Sequence, residues 1–187
     1  KDGRRARKEG KYPMDMRKWL SGIIATERKK ALPVLSFPAV QLMGISVRDL
    51  IGSSDYQAEA MRLVAQRYPT AAAVSVEAEA FGAETVVSDD EVPTVVGALV
   101  DEDTDPSGIV VPAVGVGRTG LYVEAIAKVA PLIDDRPVLA GAIGPFSLAG
   151  RLMDVSEVMA MCYEEPELVH AVLEKAAEFV VAYADAF

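Results

Sequence analysis

Residues 137–153 constrain the fold more than any other stretch of this chain. Residues 137–143 are a short apolar run, of the kind that forms a strand buried on both faces. Gly144 and Pro145 break the run, and a helical pattern begins at Phe146. A buried strand that ends in a glycine turn and feeds a helix is the joint from which α/β barrels build ligand sites, at strand carboxyl ends. Gly144, Pro145 and Phe146 are therefore candidate pocket-wall residues, although an ordinary strand–helix joint has the same local pattern.

The rest of the chain alternates in the same way. Residues 15–30 read as an amphipathic helix with Trp19, Leu20, Ile23 and Ile24 on its buried side. Residues 32–37 read as a strand ended by Pro38. A capping box, Ser54-Asp55-Tyr56-Gln57, opens a helix whose positions Ala58, Met61, Ala65 and Tyr68 keep helical spacing. Strands follow at 71–76 and 85–87, with 109–111 either a strand or an extended loop. A helix over 120–132 then precedes the 137–143 strand. The last helix opens at Pro166, and Val169, Val172, Leu173, Ala176, Val180, Tyr183 and Phe187 form one stripe along it. Strands separated by helices imply parallel pairing with right-handed crossovers. The fold class is α/β with about four β/α units, which suits a complete open sheet or part of a barrel.

Composition narrows the function. One cysteine, Cys162, excludes an intrachain disulfide and any multi-cysteine zinc site within these residues. The absence of a long apolar run argues against a membrane span, and a cytoplasmic location is expected. Residues 1–30 carry eleven Lys/Arg against four Asp/Glu, a local +7, which leaves −16 for residues 31–187. The basic end reads as a solvated extension, and the acidic body would repel nucleic acid.

Several motifs carry possible chemistry. Gly115-Val116-Gly117-Arg118-Thr119-Gly120 matches a dinucleotide-binding pattern before a helix. Asp134 and Asp135 follow at a plausible spacing, but after a helix rather than at a strand end, and Pro112 interrupts the approach. Arg118 facing a ligand from the helix start, or a plain turn, fits better. His170 is the only histidine and has no evident partner. Glu77 and Glu79 follow the 71–76 strand, where a barrel would place groups that bind N–H donors or transfer protons. Asp89-Asp90-Glu91 reads as an exposed turn.

Six segments in order resemble the uroporphyrinogen decarboxylase superfamily, and within it the methylcobamide:coenzyme M methyltransferase branch. They are Leu32-Pro33-Val34-Leu35-Ser36-Phe37-Pro38, the stretch over 76–84, Val92-Pro93-Thr94-Val95, Gly117-Arg118-Thr119, the stretch over 142–149 and the stretch over 163–170. The resemblance implies a (β/α)8 TIM barrel of which residues 31–187 form the N-terminal half, after a basic extension and helix over 1–30. The decarboxylase branch holds substrate acetates with arginines after the first strand. Here that place, 37–44, contains none. The decarboxylase's aspartate at the end of the second strand is also missing, and the stretch before Glu77 looks several residues short.

Both departures favour the methyltransferase branch, in which zinc activates a thiol that takes a methyl group from a corrinoid on a partner protein. The branch's His-x-Cys and later Cys ligands map beyond residue 187, so no metal ligand falls within this chain. Substrate-binding candidates are Phe37, Gln41, Glu77, Arg118, Gly144, Pro145 and Phe146, with Glu77 the candidate catalytic group. The alternatives are uroporphyrinogen decarboxylase, a cofactor-free enzyme of porphyrin biosynthesis, and a non-catalytic corrinoid- or tetrapyrrole-binding module. An isolated half-barrel exposes two sheet edges, so it is expected to be insoluble or to associate with itself unless the other half is present.

Overall fold

The computed structural model describes residues 14–32, 37–70, 72–74, 85–91 and 93–187. Among these, helices predominate and the strands are short. The helices are α1 (Met16–Ala25), α2 (Ala39–Met43), α3 (Val47–Gly52), α4 (Ser54–Arg67), α5 (Thr119–Val129), α6 (Pro145–Met153), α7 (Val155–Glu164) and α8 (Pro166–Ala186). The strands are β1 (Ala73–Val74), β2 (Thr85–Val86), β3 (Thr94–Val95) and β4 (Val138–Leu139).

Two strand pairs form, with opposite senses. β1 and β4 are parallel, Ala73 opposite Val138 and Val74 opposite Leu139. That pairing needs a long crossover, and α5 supplies the helix that packs beside it. β2 and β3 are antiparallel, which corrects the expectation of parallel pairing for this part of the chain. The loop joining them is short and polar, so the chain reverses as a hairpin. The hairpin loop is held from outside, because the Asp89 carbonyl accepts from the Val47 N–H at 2.8 Å. Asp89, Asp90 and Glu91 are exposed there, as the sequence suggests. Of the 137–143 run only Val138 and Leu139 pair, and both are half-buried rather than enclosed on two faces. Residues 109–111 form no strand. Most of the expected 32–37 strand, part of the 71–76 strand and Glu77 and Glu79 lie outside the described residues.

Helix starts follow local hydrogen-bond chemistry. The capping box expected at Ser54 lies elsewhere: Ser53 is the N-cap of α4 and accepts from the Tyr56 N–H, while Ser54 is already helical and buried. Gln57 is also buried, donating to the Ile51 carbonyl rather than back to the cap. A true capping box forms one helix earlier, between Ser46 and Asp49. The Ser46 hydroxyl and N–H donated to Asp49 hold its carboxyl below the usual range. Pro145 and Pro166 occupy first-turn positions, where the missing N–H costs nothing.

The largest core joins α6, α7 and α8 around Leu152, Met153, Val158, Val169, Val172 and Ala176. Four stripe residues of α8, Val169, Val172, Ala176 and Tyr183, are buried, and Leu173, Val180 and Phe187 pack on the same cluster. Along it Phe179 stacks on Tyr183, with ring centroids 5.7 Å apart, and Tyr183 meets Phe187 edge to face at 4.7 Å. The Leu152 carbonyl accepts from both Leu99 and Val100 N–H groups, which draws Val100 into this core. Asp154 turns α6 into α7 with φ 72°, an unusual value for a residue with a side chain, while its carboxylate caps Ser156. A second cluster packs α4 on α5 through Ala58, Met61, Ala65, Ala125, Ile126 and Val129. Lys128 ties these helices from outside, 2.6 Å from Asp55 and 2.8 Å from the Ser54 hydroxyl.

α1 departs from expectation. It ends at Ala25, because Lys29 donates to the Ile23, Ile24 and Thr26 carbonyls and closes the last turn. None of its residues is buried; Leu20 and Ile24 are exposed, and Trp19 and Ile23 are half-buried. Only the Trp19 and Ile23 flank of its apolar side meets described residues, and Leu20 and Ile24 stay open.

Candidate functional site

The joint after β4 is where a ligand site would sit. Gly144 is the N-cap of α6, Pro145 its first residue, and Phe146 lies one position on with half its surface (49%) exposed. An apolar ring at a strand's carboxyl end, uncommitted to the core, is suited to lining a pocket. Six positions separate Leu132 from Val138, and α5 packs on β4, so α5 runs back along the strand. Its start therefore lies at the same end as Gly144. Arg118, the α5 N-cap, is half-buried there and makes no side-chain cap bond to the helix.

The loop before α5 shows what its glycines do. Gly115 and Gly117 have φ of 105° and 59°, conformations that a side chain disfavours. A Cβ on Gly120 would meet the Gly115 Cα at 3.3 Å. Thr119, fully buried, locks the turn: its hydroxyl accepts from the Gly115 N–H at 2.8 Å and donates to the Val116 carbonyl at 2.7 Å. An N–H that a phosphate would need is already taken. The three glycines thus serve a tight turn that aims Arg118, and Thr119 is the residue the sequence motif did not single out. A buried threonine inside a glycine-rich turn was the available signal.

Phe37 and Gln41 belong to the α2 side. Phe37 is partly buried against Ala39, Leu50, Ala60 and Val64, a packing role, and Gln41 is exposed on α2, which itself packs on α4. Glu77 lies outside the described residues. His170 and Cys162 are exposed on α8 and α7. No group of three or more His, Cys, Asp or Glu that could hold a metal forms among the described residues.

A cleft of about 520 Å³ lies at the opposite end of the parallel pair. Trp19, Gly22 and Ile23 of α1 face Thr70, which precedes β1, and Asp134, Asp135 and Arg136, which precede β4. Arg136 staples the two strand entries, donating to the Tyr68 carbonyl at 2.7 Å and the Thr70 hydroxyl at 3.1 Å. It also grips Asp135 through two nitrogens, and those bonds hold the Asp135 carboxyl below the usual range. In α/β barrels chemistry occurs at strand carboxyl ends and the other end serves stability. This cleft is at the amino ends of β1 and β4.

Comparison with known proteins decides the lineage. The uroporphyrinogen decarboxylase (URO-D) family model matches residues 33–187. The chain belongs to that family. A solved methyltransferase from Methanosarcina mazei superposes with a TM-score of 0.75 and 21% identity, over 86% of this chain and 51% of that one. At this identity the likeness establishes the fold, and the chain spans about half the length of that protein. No curated protein matches the sequence at a significant level. Membership of the family and the parallel, helix-flanked pair agree with the α/β class. No helix among the described residues is long and apolar enough to cross a membrane.

Proposed function

We propose that this chain is the N-terminal half of a (β/α)8 barrel in a URO-D family methyltransferase. In this reading a methyl group passes from a methyl-corrinoid partner protein to a thiol. The observation that carries the reading is the surface of α2. The segment after the first expected strand presents Gln41 and Leu42 to solvent and has no arginine or lysine between residues 37 and 44. A site for tetrapyrrole acetates needs cations to pair with carboxylates, whereas a neutral wall accommodates a corrinoid face or an alkyl thiol. The likeness to a methyltransferase structure supports the same choice.

This chain's own contribution is positioning. Phe146 and Pro145 would present an apolar wall, and Arg118 would hold an anionic group of the substrate at the start of α5. Zinc coordination would lower the pKa of the acceptor thiol, so that thiolate is present at neutral pH. The described residues do not fit a zinc site: His170 and Cys162 are isolated on separate helices, with no metal-binding cluster around them. No step is therefore assigned to a metal held here, and its ligands would come from elsewhere in the full-length protein.

Two measurements test the reading. Elemental analysis of the full-length protein should find about one zinc per chain, and none would sink it. Phe146→Ala should weaken corrinoid or thiol binding while lowering stability little, because the ring is half exposed. A loss of several kcal/mol with unchanged affinity would make Phe146 a core residue instead. Decarboxylation of a tetrapyrrole by the zinc-free protein would favour the decarboxylase alternative. Corrinoid or porphyrin binding without turnover would favour a binding module.

A further inference from the structure

The backbone of Arg118 is held from two sides, by bonds that all close within residues 113–122. On the helix side its carbonyl accepts from the Leu121 N–H at 3.0 Å and the Tyr122 N–H at 3.3 Å. Tyr122 is buried in the core that α8 covers, so this first turn of α5 cannot shift without disturbing packed side chains. On the loop side the backbone bonds are long. The Val116 N–H donates to the Ala113 carbonyl at 3.2 Å, and the Thr119 N–H to the Val116 carbonyl at 3.3 Å. The short bonds there are the two made by the Thr119 hydroxyl, to the Gly115 N–H and the Val116 carbonyl.

Arg118 stands at the N-cap of α5, where Ser, Thr, Asp or Asn would ordinarily satisfy the helix start, and its side chain makes no cap bond. The hydroxyl of the next residue ties the loop to the helix instead, which leaves the guanidinium to point elsewhere. Only a hydroxyl both accepts from one arm of such a turn and donates to the other. The neighbouring backbone is set for it: Gly115 and Gly117 have positive φ, and Gly120 packs its Cα side on Gly115. The other half of a barrel can add groups to the site, but these bonds need none of them.

We propose that Thr119 is the positioning residue for anion binding at the carboxyl end of the strands, acting through Arg118. A guanidinium lies at the end of a long arm, so a small rotation of its backbone becomes a large displacement of its planar donor fork. A misplacement of about 1 Å can cost about 100-fold in a reaction that depends on alignment. The inference rests on the anion-holding role given to Arg118 in the proposed function. It requires neither zinc nor methyl transfer.

The test compares two thiols that differ in charge, 3-mercaptopropionate and 2-mercaptoethanol, by calorimetric binding to the full-length protein. The wild type should prefer the anionic thiol. Thr119→Val should weaken that thiol about tenfold and change the neutral one by no more than about twofold. Thr119→Ser, which keeps the hydroxyl, should stay within about threefold of the wild type for both. Gly120→Ala, whose Cβ would press on the Gly115 backbone at 3.3 Å, should give a smaller loss of the same charge-selective kind, and it reads the turn even where Thr119→Val folds poorly. Adding Thr119→Val to Arg118→Gln should bring no further loss beyond about twofold, because the guanidinium it positions is gone. Leu152→Ala, a core change outside the turn, should leave the preference intact and so separates positioning from lost stability. Equal weakening of both thiols by Thr119→Val, or a loss undiminished in the Arg118→Gln background, would overturn the proposal. So would a wild type that does not discriminate between the thiols. Charge discrimination that depends on Thr119 in a protein that holds no zinc and transfers no methyl group would sink the methyl-transfer reading and leave this inference standing.

Discussion

α8 and α1 begin from the same kind of sequence signal and end in different environments. Both carry apolar residues at helical spacing. α8 places its stripe against α6 and α7 and buries six residues, whereas α1 buries none. The difference lies in the neighbours. α8 follows α6 and α7 closely in sequence, so short connections return it onto them. α1 touches the body only along the flank that faces Thr70 and Arg136. Periodicity records that a face is apolar; it does not record what will cover that face.

The contrast can be broken by mutation, beginning with the packed side. Leu152→Ala, at a position 1% exposed in the α6–α8 core, should cost about 2–5 kcal/mol in denaturant unfolding. A cost below about 1 kcal/mol would mean that this core is loosely packed. Thr119→Val should cost about 1–3 kcal/mol, because it strips the Gly115 N–H of its partner inside a packed turn. Refolding of the turn around a water would show as a much smaller loss.

Tyr183 sharpens the packed side further. Its hydroxyl is buried and finds no partner among the described residues, so Tyr183→Phe should be neutral or stabilising by up to about 1 kcal/mol. Burial pushes the phenol's pKa upward, with Tyr122 adding to the shift. The folded state therefore holds that proton more tightly, and stability should fall as pH rises above about 10, the ordinary tyrosine value. Tyr183→Phe should flatten that alkaline limb in thermal melts, and an unchanged limb would place the titrating group elsewhere.

On the α1 side the expected effects are small. Arg136 depresses the pKa of Asp135, so the carboxylate's contribution is present above about pH 4 and is lost as pH falls below it. The Asp135 side chain is well exposed, so Asp135→Asn should cost under about 1 kcal/mol at pH 7 and reduce the acid-limb slope. Leu20→Ala should change the stability by no more than about 0.5 kcal/mol. A larger loss would show that α1 is packed after all, and would erase the contrast with α8.

Much of the helical layout was legible. The Pro166 start, the α8 stripe, the α4 and α5 helices and the break at Gly144 all follow from proline geometry and apolar spacing. α2, α3 and α7 were not foreseen. α2 and α3 are too short to show a period, and α7 displays apolar residues on two sides, one for the core and one for solvent. The hairpin of β2 and β3 was not legible, because two-residue strands carry no alternation and strand sense depends on which partner is near. For the candidate site, Gly144, Pro145, Phe146 and Arg118 were legible as a strand end and a helix start. Thr119 was not, because its importance lies in two hydrogen bonds to the backbone of its own turn.

The sequence by itself determined the local conformations and the family: where prolines and caps start helices, which faces are apolar, and which ordered segments mark a URO-D relative. Tertiary structure alone decided that β1 pairs with β4, that the glycine-rich loop closes on Thr119, and that α8 buries its stripe while α1 buries none of its residues. Local signals act over a few residues through backbone hydrogen bonds and rotamer limits. Burial depends on which distant surfaces meet, and no short stretch of sequence contains its own partner.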